Sequence, residues 1–309
     1  MEWIVHTDEQ GLRLDKFLAG PGRLGSRRRA SSALDRGKVF VNAVEASREA
    51  AARRLAAGDL VRVWIDRPGS ARGRGPRRAG DLNIVFEDDA LIVLDKPAGL
   101  LAVPLERRAG ATSVFDLVRQ HLRTQGKRKP LVVHRIDRDT SGLVVFAKDA
   151  LAQGRLRAQF RQHAVERIYW AVVYGHPEPS VGSWRDRLVW DRKALIQKET
   201  HPRDPHGADA VSHYRVVERF RGASLVEVRL ETGKRNQIRV QARMRGHTLV
   251  GEQRYVFGPA ELRRIAFGRQ ALHAYRLAFA HPVSGDALRF EAAIPADLAE
   301  LLARLRRQK

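Results

Sequence analysis

The sequence predicts an α+β protein in which a small N-terminal α+β domain precedes a larger domain built on a mixed sheet. Strand-like runs outnumber helical ones and do not alternate regularly with them, which disfavours a doubly wound α/β sheet. Between Arg67 and Arg78 the run RPGSARGRGPRR holds five arginines, no acid and repeated Gly and Pro, a composition that cannot form a core. A length of 309 residues accommodates a large and a small domain. The expected division is therefore a first domain over 1–66, a flexible cationic linker over 67–82 and a second domain over 83–309.

Taken in order, RLDKFLAG forms a short helix with Leu14, Phe17 and Leu18 on one face, and SRRRASSALDRG a second with Ser26 as its cap. Gly37 stops that helix, and KVFVN and LVRVWI supply two short strands, so the first domain reads helix, helix, small sheet. Beyond the linker, strands are expected in NIVFEDDALIVLDKP, SGLVVFAKD, RIYWAVVYG, ADAVSHYRVVERF, ASLVEVRLETG and ALHAYRLAFAHP. Helical patterns occur in SVFDLVRQHLRT, ALAQGRLRAQFRQH, RNQIRVQARMRG and ADLAELLARLRR. No internal repeat is present.

Fifty-seven basic against 35 acidic residues leave a net charge of +22. So large an excess repels itself unless a polyanion is near, and nucleic acid is the commonest such partner. A genome-wide arginine bias is the bland alternative. The chain has no cysteine, which removes disulfides, thiolate nucleophiles and zinc-thiolate or iron-sulfur sites. No apolar run approaches the roughly 20 residues of a membrane span, and MEWIVHTDEQ lacks the pattern of a secretory signal, so a cytoplasmic protein is expected.

Several cofactor signals fail. In TGKR, Arg235 stands where a phosphate-binding loop needs Ser or Thr, and Val228 where it needs Gly. The glycines of GRGPRRAG have neither the spacing nor the preceding strand of a dinucleotide site. No HExxH pair occurs among the eleven histidines, and no metal is expected. What remains is LVVHRIDRDTSGLVVFAKD, where a polar cluster is clamped between two apolar β-type runs. Such a loop can present Asp137 at a cleft with Arg135 and Arg138 beside it. Asp, Thr, Ser and Gly are also ordinary turn residues, so a charged hairpin turn is the competing reading.

HRIDRDTSGLVVFAKD closely resembles the signature of the RluA-type pseudouridine synthases. DKPAGLLAVP, the RIY tripeptide ending at Tyr169, LETGKRNQIRVQARMRGHTLVGEQRY and LHAYRLAFAHPVSG are similar to that family's further blocks, in order, over roughly residues 83–300. RLDKFLA, SRRRA, GKVFVN and GDLVRV resemble the small RNA-binding domain of ribosomal protein S-four type. The resemblance implies a pseudouridine synthase fold with a central mixed, mainly antiparallel sheet. It makes Asp137 the catalytic carboxylate, Tyr169 the aromatic that stacks on the target base, Arg239 the partner of Asp137 and Ile238 the residue packed under the base. It places Arg135 in the gap left by an extruded nucleotide and gives Arg27, Arg28, Arg29 and Lys38 to RNA contact. Lys234, Asn236 and Gln241 stand where the family usually has Arg, His and His, and Glu252 where it usually has Asp. These departures bear on backbone support or RNA contact more than on chemistry.

Making pseudouridine from uridine breaks the glycosidic carbon–nitrogen bond and joins the sugar to carbon five of the turned uracil. No hydride carrier, phosphate donor or metal is required, so no cofactor is expected. A carboxylate can serve as nucleophile or as the base that removes a sugar proton. A guanidinium holds a carboxylate ionised and oriented with a planar fork that Lys lacks, which favours Arg239 over Lys234. Tyr169 can also be read as a core aromatic, and Arg135 as a phosphate contact. The expected partner is RNA, large-subunit ribosomal RNA first and transfer RNA second, bound by a monomer. A noncatalytic RNA-binding protein on the same fold and a metal-dependent nuclease are the rival classes.

Overall fold

The computed structural model describes residues 1–35, 37–64, 77–79, 82–104, 112–124, 129–256 and 265–308. Its internal contacts divide the chain into two units, Met1–Gly75 with Phe86–Ile92, and Pro76–Val85 with Val93–Lys309.

The N-terminal segment comprises β1 (Glu2–Ile4), α1 (Leu14–Ala19), α2 (Arg27–Asp35), β2 (Val39–Val41), β3 (Val44–Glu45) and β4 (Leu60–Val63). The strands form one antiparallel sheet in the order β1-β4-β2-β3. Leu14, Phe17 and Leu18 from α1, and Ala30 and Leu34 from α2, pack on Val39, Val41, Val61 and Val63, which alternate inward along their strands. Ser26 caps α2, its hydroxyl accepting the Arg29 N–H at 3.2 Å. Gly37 ends the helix at φ 60° with its N–H on the Leu34 carbonyl. The expected order of helix, helix and sheet omitted β1 and β3. Both are edge strands of two or three residues, and β1 finds its partner nearly sixty residues away, so neither carries a periodicity of its own.

The second sheet has twelve strands. In chain order they and their helices are β5 (Arg77–Ala79), β6 (Leu82–Glu87), β7 (Leu91–Lys96), α3 (Val114–Thr124), β8 (Leu131–Val132), β9 (Ser141–Ala147), α4 (Ala150–Arg161) and β10 (Glu166–Tyr174). There follow β11 (Val181–Asp191), β12 (Ile196–Glu199), β13 (Ala208–Phe220), β14 (Ala223–Leu230), α5 (Gln237–Met244), β15 (Leu272–Ala280), β16 (Ala287–Glu291) and α6 (Ala296–Arg307). The order is β12-β11-β13-β14-β10-β15-β9-β7-β6-β5, with β16 on β15 and β8 on β9. The sheet is mixed, because β15 and β9 run parallel while the pairs from β12 through β15 are antiparallel. Of the linker expected over 67–82, residues 67–76, 80 and 81 lie outside those described. Arg77–Ala79 pair with Leu82–Ile84, so the sheet begins at Arg77 and not at 83.

Strand β10 is covered on both faces. Tyr169, Ala171 and Val173 point towards Ile238 and Ala242 of α5, and Val172 points towards Leu298, Leu301, Leu302 and Leu305 of α6. Burial on two sides explains why RIYWAVVYG reads as a continuous apolar run. Strand β11 was not expected, since its sequence interleaves Arg185, Asp186 and Arg187 with apolar residues. Only Trp184 and Leu188 are buried, and Trp184 stacks on Tyr214 at 4.8 Å.

Candidate active site

The loop between β8 and β9 carries Asp137, and its neighbours hold it from several sides. The His134 ring stacks on Phe160 at 4.7 Å, and its Nε2 accepts the Val145 N–H at 3.1 Å. Burial, aided by the nearby Arg167 charge, pushes the His134 pKa down to about 3 and keeps the ring a neutral acceptor. On the other side, the Lys96 Nζ donates to the carbonyls of Pro97, Leu100 and Arg138 at 2.7, 2.8 and 2.7 Å. Lys96 is 1% exposed, and burial lowers its pKa to about 7. Three carbonyls match the three N–H groups of an ammonium, so this lysine ties the DKPAG segment to the residue after Asp137. Where the loop enters β9, Gly142 lies at φ 109°, and a Cβ there would overlap the Ala274 carbonyl of β15. Only glycine lets these parallel backbones meet.

Arg239 lies on α5, one turn after Asn236, which caps the helix in the left-handed region at φ 54°. Arg239 divides its donors between two acids. Nε and Nη2 grip both Glu252 oxygens at 2.6 and 2.7 Å, and Nη1 donates to Asp137 Oδ2 at 3.0 Å. The Glu252 side chain is fully buried and also accepts the Arg254 and Tyr255 N–H groups. Burial alone would raise the Glu252 pKa, but these donors hold it below its ordinary value. Burial likewise works against the Arg239 charge, and the two acids nonetheless raise its pKa. Glu252 takes most of the guanidinium, so Arg239 holds Asp137 by one bond, at Oδ2. With its amide in the orientation that satisfies both neighbours, Asn236 donates to Asp137 Oδ1 at 3.3 Å and accepts from Arg239 Nη1 at 3.1 Å.

Asp137, Arg239, Tyr169, Ile238 and Arg135 line one cavity of about 620 Å³. Tyr169 and Ile238 are 8% and 4% exposed and belong to one apolar cluster, whereas Arg135 is exposed. Burial raises the Tyr169 pKa and keeps the phenol protonated. Arg27, Arg28 and Arg29 are exposed on the first turn of α2, and Lys38 is half-buried.

Each departure has its own place. Lys234 lines the cavity, Asn236 meets Asp137, and Glu252 is the clamp on Arg239. Gln241 is fully buried away from Asp137, donating to Trp184 O, Asp186 Oδ2 and Ala210 O and accepting from Ser212 Oγ. It fastens α5 to β11 and β13. Sequence reasoning gave no role to Glu252, His134 or Arg167. The only signal for Glu252 was its position in a block similar to the family's. Among the described residues no group of three or more His, Asp or Glu side chains is arranged to hold a metal.

Residues 90–243 match the family model described as RNA pseudouridylate synthase. The ribosomal large subunit pseudouridine synthase D of Zymomonas mobilis is 38% identical, with 96% of this chain and 95% of that protein covered. The protein of the same name from Nitrosomonas europaea is 34% identical, with 99% and 88% covered. Among solved structures, human RNA pseudouridylate synthase domain containing 4 shares the fold with a TM-score of 0.59 at 22% identity, over 72% of this chain and 92% of that one.

Proposed function

The chain belongs to the RNA pseudouridylate synthase family and is an isomerase, and from that premise we propose that it converts uridine to pseudouridine in large-subunit ribosomal RNA, with Asp137 as its catalytic carboxylate. The observation that carries this reading is the single bond from Arg239 to Asp137 in a cavity shared with Tyr169. Arg239 fixes Oδ2, and Oδ1, reached only by the longer bond from Asn236, is the oxygen that meets the sugar or the base. A uridine must leave its stack to reach it, and the Tyr169 ring with Ile238 beneath offers a new apolar face, worth on the order of 1–3 kcal/mol per stacked base.

In the reaction the bond from C1′ to N1 breaks and a bond from C1′ to C5 forms. The proton on C5 is lost and N1 gains one, so atoms and charge balance without a redox partner. Asp137 either attacks the sugar or removes a sugar proton, and Arg239 holds it in place for both. The exposed Arg135 fills the space of the extruded nucleotide. The basic first turn of α2, with Lys38, contributes affinity for phosphate. We read the enzyme as a cytoplasmic monomer, and no helix among the described residues is long and apolar enough to cross a membrane.

The test is to map pseudouridines in total RNA from cells with and without the gene, complemented by wild type or by Asp137→Asn. The expected outcome is one or more ribosomal positions lost without the gene, restored by wild type and not by the variant. The variant changes charge and not shape, so the purified protein should fold and bind RNA normally. Restoration by Asp137→Asn would remove Asp137 from the chemistry.

A further inference from the structure

Arg167 stands on β10 two residues before Tyr169, on the same face of the strand, and both line the cavity. It is 8% exposed, yet among the described residues no carboxylate pairs with it. Its Nη2 donates to the carbonyls of Leu230 and Glu231 at 3.5 and 2.9 Å, and its Nε is buried without a partner. The Phe160 ring lies 5.5 Å from its Cζ. Gly233 clears the space beside it, since a Cβ there would collide with Nη1. Among the described residues lining this cavity Asp137 is the one carboxylate, and Arg239 already holds it. Arg135, Arg161 and Lys234 add further positive charge to the same walls.

A guanidinium buried without a counter-charge is costly, and carbonyl dipoles repay only part of that cost. The counter-charge missing from the fold has to come from the ligand. We propose that Arg167 seats a phosphate group of the RNA strand in the active-site cavity, beside the base held on Tyr169. This rests on the reading of the cavity as the uridine site. Residues i and i+2 of a strand stand roughly 7 Å apart, the scale of one nucleotide, so the seated phosphate belongs to the target uridine or its neighbour. An Arg fork matches two phosphate oxygens, and Phe160 and Gly233 shape the slot around it.

The first experiment uses full-length protein labelled with ¹⁵N-arginine, the Arg167 Nε–Hε signal being assigned by its loss in Arg167→Gln. Titration with inorganic phosphate at constant ionic strength should give a saturable shift that chloride does not. A signal that moves no more with phosphate than with chloride overturns the seat. The second uses the ribosomal fragment carrying the mapped uridine. Arg167→Gln should weaken binding about 10-fold or more and lower the magnitude of the salt slope by about 0.7. Gly233→Ala, which only displaces the guanidinium, should do the same, and Arg167→Lys should restore part of the loss.

A methylphosphonate at one phosphate next to the uridine should cost wild type as much as Arg167→Gln costs, and add nothing in that variant. If Arg167 only braces the Leu230 and Glu231 carbonyls, the two losses multiply at every phosphate and the salt slope stays unchanged, which overturns the proposal. Release of the C5 proton from the same RNA is scored separately. Coupling without isomerisation keeps the seat and rejects the proposed reaction, whereas isomerisation without coupling does the reverse.

Discussion

Glu252 governs how much of Arg239 reaches Asp137. Because Glu252 occupies Nε and Nη2, the guanidinium plane is fixed before any substrate arrives, and only Nη1 is offered to Asp137. Glu252→Gln keeps the shape but removes the charge, leaving a buried cation that turns towards Asp137. Turnover should fall at least about 10-fold, and stability at pH 7 by about 3 kcal/mol, as for other broken buried pairs. The folded pKa of Glu252 is depressed, so its contribution is present above about pH 4.5 and is lost as pH falls through the folded value. The gap between the two proteins in denaturant titrations should therefore narrow progressively as pH falls below about 4.5, and a constant gap would show that charge is not the cause. Arg239→Lys should be far more damaging in single-turnover assays than Lys234→Ala, because an ammonium cannot span Glu252 and Asp137 in one plane. The reverse ranking would reassign Asp137's partner. Asp137, Tyr169, Arg239 and Ile238 were legible because each sits in a compact motif. Glu252 and Arg167 were not, because what marks them is the counter-charge that Glu252 meets across the fold and that Arg167 lacks, which spacing along the chain does not record.

At the scale of elements, strands with apolar runs and helices with a clear face were readable, and short or charged strands were not. Strand β10 declared itself because α5 and α6 bury both its faces, whereas β11 hides a one-sided burial behind alternating charges. Two histidines tie this sheet to pH. His134 braces the loop that carries Asp137 against β9 and α4, and His273 joins β15 to β9 through Ser141 Oγ at 3.0 Å. Burial lowers their pKa values to about 3 and about 4. Unfolded, each takes a proton near pH 6.5; folded, neither does until much lower pH. Stability should thus be fully present above pH 6.5 and fall through the window down to about pH 4, by roughly 1.4 kcal/mol per pH unit for each histidine. Urea midpoints measured from pH 7 to 4.5 should show that slope, and His273→Gln should remove about half of it. A slope unchanged in the variant would place the acid sensitivity elsewhere.

For the whole molecule, the net charge of +22 was visible from composition, but composition alone cannot separate arginines that bind from those that only solvate. The structure separates some of them. Arg306 is paired with Glu218, Arg276 with Glu291 and Arg269 with Asp297, so part of the positive charge is spent within the sheet domain. Arg27, Arg28 and Arg29 are different, for they crowd the first turn of α2 with no acid in that turn, although Asp15 of α1 lies near Arg27. A helix N-terminus carries partial positive charge and disfavours cations, so this placement works against the helix and calls for an outside anion. Replacing all three with Gln should leave the helix intact or slightly more stable, since Ser26 still caps it and Ala30 and Leu34 still pack. RNA affinity should fall at every sequence tested, and the magnitude of the salt slope should drop by up to about 2–3, one phosphate for each arginine that meets one. Single-turnover rates at saturating enzyme should remain within about twofold of wild type, because Asp137, Arg239 and Tyr169 all belong to the other unit. Affinity across a potassium chloride series, with rates at saturation on the same RNA, decides the matter. An unchanged slope would assign these arginines to solubility alone. A collapsed saturated rate would mean that the first turn of α2 takes part in presenting the uridine, and not only in holding the strand.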